Sequence, residues 1–176
     1  MAILISKADF VGVYAISSDA KTDSILDSII EETEIRTIYE LLGKTLGDLF
    51  LADANANGGT PADPNYLTIY NRLILDKHRM YCYYFADSYY SFGIKEMLKA
   101  YVYVAFHVRS PQISTNVGLR NIQASVSNSA KIDGKYITTV RNKGTEAFRT
   151  IQNYIYQNIN DFPDFEGVRK NYSFPY

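Results

Sequence analysis

The chain has 176 residues, with 18 basic and 19 acidic side chains, a formal charge of -1, one cysteine, no tryptophan and 16 tyrosines. That length supports one domain with a core of its own, and the charge balance gives no electrostatic case for nucleic acid or an anionic membrane as the main partner. A lone Cys82 in an apolar run leaves no internal disulfide and suits an inert buried thiol in a reducing cytoplasm.

MAILIS reaches Lys7 and Asp9 too soon for the apolar stretch of a secretory signal. Asp87, Lys95, Glu96 and Lys99 interrupt the most apolar region before a membrane span of about 18 residues accumulates. The tyrosine excess fits either a subunit-contact surface, where a large ring with a polar tip is useful, or the lining of a core.

In chain order, a short apolar lead runs into Ser6 as a cap, followed by one or two turns through Phe10 and a loop at Ser17 and Ser18. Asp23 or Ser24 caps the next helix, whose apolar stripe is Ile25, Leu26, Ile29, Ile30, Ile38, Leu41 and Leu42. Glu31, Glu32, Glu34 and Arg36 read as solvated, and the stripe is imperfect around Thr33 and Ile35. Gly43 implies a break, with a short helix from Lys44 to Leu51. Residues 52–63, ADANANGGTPAD, read as a flexible loop, and Asp63 with Pro64 as the start of the central helix.

The stretch Tyr66 to Arg109 organises the rest. Leu67, Tyr70, Ile74, His78, Tyr81, Phe85, Ser88 and Phe92 recur at helical spacing and predict one long helix. Ile94, Met97, Leu98, Tyr101, Val104, Ala105 and Val108 predict a second, with Gly93 as the joint. Apolar residues on further faces require cover from the rest of the chain or from other subunits.

Ser110-Pro111 is a stop, and residues 112–127 fit either a hairpin turning at Asn116 to Gly118 or an extended arm. Ile132, Tyr136, Val140, Phe148, Ile151, Ile155 and Ile159 then mark a long last helix. Gly144, in that stripe, either permits close packing or splits the helix. The helix ends around Pro163, and residues 166–176 form a basic and aromatic tail that can dock on a neighbour. The expected fold is mainly α: a single domain over residues 1–176, a bundle of about four to five helices with an extended arm or small β-hairpin near 112–127.

Chemistry-bearing residues are sparse. Asp53, Asn55, Asn57 and Gly58 match the opening of a calcium loop, but its twelfth position is Pro64 where a bidentate Glu is needed, so an Asn/Gly-rich surface loop is preferred. His78 and Cys82, one turn apart, make a pair rather than a metal site, and a histidine bonded to a carbonyl or Tyr is the better reading. His107 is placed near a helix end, where the macrodipole favours a protonated imidazole in a capping role. Asp87, inside the aromatic centre, needs a partner such as Arg79, Lys95 or a Tyr hydroxyl. No catalytic set, metal site or cofactor site is expected from these residues.

The I-S-x-x-D-F start, the I-S-S loop, E-I-R-T-I-Y-E-L-L-G-K-T-L-G-D-L-F with its Leu-Gly break, the Tyr-rich stretch from Tyr66, T-N-x-G at Thr115 to Gly118 and the Pro163 to Phe165 ending together resemble head-tail connector (adaptor) proteins of tailed bacteriophages. The Tyr- and Asn-rich, weakly charged chain is similar to those of phages of Bacteroidetes hosts, of the crAss-like group. The resemblance implies a virion protein rather than an enzyme, made in the host bacterial cytoplasm. It implies a homo-oligomeric ring, commonly of twelve, between the portal protein and the tail or further ring proteins, which extends the channel for passing DNA without sequence-specific binding.

On that reading the interface residues are Tyr83, Tyr84, Tyr90, Ile113, Val117, Leu119, Tyr172, Phe174 and Tyr176. A rival reading is a small helical ligand-binding protein or enzyme with a pocket lined by His78, Tyr81, Cys82 and Tyr84. A DNA-binding regulator would need a basic recognition helix larger than the cluster Arg141 to Lys143.

Overall fold

The computed structural model describes residues 4–16, 20–71, 73–75, 89–109, 114–115, 118–119 and 134–166. Among these the chain is mainly helical, with α1 (Ala20–Leu42), α2 (Lys44–Ala56), α3 (Pro64–Tyr70), α4 (Gly93–Arg109) and α5 (Gly134–Gln157). Two three-residue 3-10 turns, Lys7–Asp9 and Gly12–Tyr14, precede α1. A third, Ile159–Asp161, follows α5.

Several breaks fall where the sequence places them. Gly43, at φ 83°, separates α1 from α2. Asp63 caps α3 by accepting from the Asn65 and Tyr66 N–H groups, with Pro64 in the first turn. Ser6 flanks the first 3-10 turn, and the Asp9 carboxylate reaches back to accept from its N–H and hydroxyl. Two boundaries differ from expectation. Helix α1 begins at Ala20, so Asp23 lies in its first turn instead of capping it. Helix α2 continues to Ala56, which takes residues 52–56 out of the loop. Asp53 then fastens the remaining turn, its Oδ2 accepting from the Ala62 and Asp63 N–H groups at 2.8 and 3.0 Å.

The largest correction concerns Tyr66 to Phe92. The helix that starts at Pro64 stops at Tyr70, where Asn71 turns extended, and Leu73–Leu75 (β1) pairs antiparallel with Tyr89–Ser91 (β2), Ile74 opposite Tyr90. Leu, Ile and Tyr recur on every phase of this stretch, so helical spacing could not be told from a strand period, and rings and branched side chains favour strands. Gly93 is the joint, for a reason of contact. Its φ is 80°, and a Cβ there would run into the carbonyl oxygens of Asn71 and Tyr70. Further on, Ser114–Thr115 (β3) pairs antiparallel with Gly118–Leu119 (β4), Thr115 opposite Gly118, a short hairpin within the segment for which hairpin or arm was open.

Helix α4 is the axis, packed most extensively on α5 and then on α1. The two antiparallel contacts that set this geometry are Gly144 against Tyr101 and Ala100, and Tyr136 beside Tyr103. A Cβ on Gly144 would stand 2.9 Å from the Tyr101 ring and 3.3 Å from the Ala100 Cβ, so the glycine permits close approach and α5 is unbroken. The main core joins Ile38 and Leu41 of α1, Phe50 of α2, Ile69 of α3, Leu98 of α4 and Ile151 of α5. Arg109 closes the far end of α4 onto α1 through two bonds to Glu32, at 2.5 and 2.9 Å.

Glu34 overturns its placement as a solvated residue. It is 1% exposed, and its Oε2 accepts from the N–H groups of Leu4 (2.9 Å) and Ile5 (3.3 Å). The Tyr70 hydroxyl donates to the Leu4 carbonyl at 3.1 Å. A buried carboxylate thus ties the N-terminal segment to α1, which satisfies the cost of its own burial. Ile35, one position on, is exposed instead.

Candidate functional site

The two sides of α4 are finished differently. At 3.6 residues per turn, Tyr103 and His107 lie roughly 150° around the helix from Tyr101, Ala105 and Val108. The first side is covered by the chain itself. Tyr14, Tyr103 and Tyr136 form edge-to-face pairs with ring centroids 6.0 Å apart, and His107 meets the Tyr103 ring at 4.3 Å. The Tyr136 hydroxyl donates to the Val13 carbonyl at 2.7 Å, and Lys99 sits 5.5 Å from the centre of the Tyr14 ring. These contacts hold the Gly12–Tyr14 turn against the bundle, yet Val11 and Val13 point outward, 69% and 60% exposed.

Burial, with the nearby Glu96 and Tyr136, pushes the Tyr14 hydroxyl up to about 12, so it remains a donor. Burial pushes His107 the opposite way, below the usual imidazole value, and its Nε2 is buried with no hydrogen-bond partner among the described residues. The expected protonated helix-end imidazole is therefore corrected to a neutral one. The macrodipole acts at the exposed tip of a helix, whereas this ring is packed among Tyr103 and Phe106.

The second side is open. A groove of about 390 Å³ runs between α1, α4 and α5. Tyr101, Val104, Ala105, Val108 and Phe148 make its apolar floor, and Arg36, Glu40 and Arg141 stand on its rim. Val108 is 56% exposed. The rim carries both signs: Arg36, which approaches Glu32 at 3.8 Å, and Glu40 on α1, and Arg141 on α5 with no ion pair among the described residues. The groove has neither a nucleophile and base in contact nor a convergent metal set. Among the described residues no group of three or more His, Cys, Asp or Glu could hold a metal ion, and no described helix is long and apolar enough to cross a membrane.

The sequence-derived site residues contribute little to this geometry. Tyr83, Tyr84, Ile113, Val117, Tyr172, Phe174 and Tyr176 lie outside the described residues, as do His78, Arg79, Tyr81, Cys82 and Asp87. Tyr90 and Leu119 fall on β2 and β4. Lys95, one candidate partner for Asp87, is engaged by Asp9 at 2.8 Å. Asp53, from the calcium-like loop, spends its side chain on Asn57 and the Ala62 and Asp63 N–H groups.

No known family, curated protein or solved structure matches this chain. The groove and the valine turn were both missed from sequence. The only signal for the groove was an apolar arc on α4 wider than one core-facing stripe requires.

Proposed function

We propose that this protein is a structural subunit of a virion, built to assemble head to tail into a ring between the portal and the tail of a phage. The reading rests on the resemblance to head-tail connectors and on one structural observation. A covered side of α4 ends in a protruding apolar turn, while the opposite side presents an unfilled apolar groove. A ring needs two unlike surfaces on each subunit, because its contacts are heterologous and propagate around an axis.

The sequence offers two attachment elements, the stretch at 112–127 and the aromatic tail at 166–176. They are the candidates for reaching a neighbouring ring or the portal. Near-neutral overall charge suits a wall that DNA passes without being held.

The test is the mass of the purified protein by light scattering over a concentration series, with negative-stain images of any large fraction and with portal protein added. A ring-sized species, commonly a dodecamer, alone or only on a portal, is the expected result. A monomer at every concentration that ignores the portal overturns the proposal. The rival pocket around His78 lies outside the described residues and draws no support from the described geometry.

A further inference from the structure

We infer that, in the free subunit, the groove between α1, α4 and α5 is the seat of the same chain's own tail, residues 167–176. That tail starts at the groove's near end. Thr45, two residues past the Gly43 break that ends α1, donates its hydroxyl to Glu166 at 3.0 Å. The Phe165 ring stands edge-on to Tyr156 in the last turn of α5, with centroids 5.3 Å apart. Residues 165 and 166 thus bridge the C-terminal ends of α1 and α5, the two helices that wall the groove. Val108 marks the far end, because its neighbour Arg109 pairs with Glu32, two turns before Glu40 on α1.

Reach and order agree. Along α5, Tyr156 lies eight residues, about 12 Å, beyond Phe148, and the floor on α4 from Tyr101 to Val108 extends about 10 Å further. An extended chain gains about 3.3 Å per residue. Arg169 and Lys170 therefore come level with Glu40 and Phe148, and Tyr172 and Phe174 with the floor. The chemistry follows the same order. Glu40, exposed and without an ion pair among the described residues, meets the two cations of the tail. Tyr172 and Phe174 then cover Tyr101, Ala105 and Val108, apolar surface that is otherwise left in water. Arg36 and Arg141 flank this end of the floor, where a guanidinium stacks on an aromatic face. On the ring reading, on which this last step alone rests, a neighbour that takes the groove displaces the tail and frees it to reach a further ring or the portal.

The experiment is a disulfide trap in the full-length chain, with Val108→Cys and Phe174→Cys combined and helix content checked by circular dichroism. Oxidised glutathione takes up the electrons as the two thiols join, and peptide mapping by mass spectrometry identifies the bond. A control pairs Val11→Cys with Phe174→Cys, across α4 from the groove. Ala105→Cys replaces Val108→Cys if that variant loses helix content. At a dilution where ultracentrifugation gives the mass of one chain, the 108–174 bond should form within a chain at least tenfold faster than the 11–174 bond. Equal rates in the two pairs, or a 108–174 bond formed only between chains, overturn the inference. So does a chain that is oligomeric at every dilution, which has no free subunit for the tail to close. A chain that stays monomeric and ignores the portal, yet forms the bond, overturns the ring reading and leaves the seated tail standing.

Discussion

Helix α4 has one side that its own chain completes and one that it leaves open, although both are built from the same mixture of Tyr, Val and Ala. On the completed side a segment from the N-terminus, almost ninety residues away, lays Tyr14 on Tyr103 and is locked by Tyr136. On the open side Val108 stands exposed beside a groove between α1, α4 and α5 that no described element fills. The comparison teaches that residue type on a helix does not decide whether a face is core or contact surface. What decides is whether a distant segment arrives to cover it.

The largest expected effect is on the completed side. Tyr103→Ala removes a ring that is buried among Tyr14, Tyr136 and Val140, and should cost about 3–5 kcal/mol in urea unfolding. A cost below about 1 kcal/mol would mean that the N-terminal segment does not cover this side in solution. Next is Glu34→Ala, which leaves the Leu4 and Ile5 N–H groups without their carboxylate and should cost roughly 2–3 kcal/mol. Glu34→Gln, which keeps an acceptor oxygen, should recover part of that loss in the same assay.

Tyr136→Phe keeps the ring pairs but removes the hydroxyl from the Val13 carbonyl, for about 1 kcal/mol. It should also speed amide hydrogen exchange in residues 12–15, and unchanged exchange there would show that the turn is held by its rings alone. His107 supplies a pH dependence. Its folded value is depressed by burial, so below about 6.5 the unfolded chain binds more protons and stability falls as pH drops toward 5. His107→Gln should flatten that part of the profile, and an imidazole found by NMR to titrate above its ordinary value would contradict the packing described. The smallest effect belongs to the open side: Val108→Ser should change monomer stability by no more than about 0.5 kcal/mol.

Much of the fold was legible because it depends on local pattern. The stripes of α1, α4 and α5, the Gly43 break, the Asp63–Pro64 start and the Gly93 joint all follow from side-chain spacing, caps and the special backbone of glycine. The stretch from Tyr66 to Phe92 failed for the same reason that the others succeeded. A period is informative only where apolar residues are absent from the other phases, and here they occupy all of them. Glu34 failed differently. It lies one position from exposed Ile35 on α1, and a charged residue is read as solvated until a partner is known.

The sequence by itself determined a mainly helical chain, the places where its helices begin and break, and an excess of apolar helix surface over what one core needs. Tertiary structure alone decided that Glu34 is buried, that α3 ends at Tyr70, and that Tyr103 is covered while Val108 is open. The reason is one of range. Helical period, capping and glycine geometry act within a turn or two of the chain, whereas the cover over a face comes from residues such as Leu4, Tyr14 and Tyr136, whose arrival is set by packing across the whole domain.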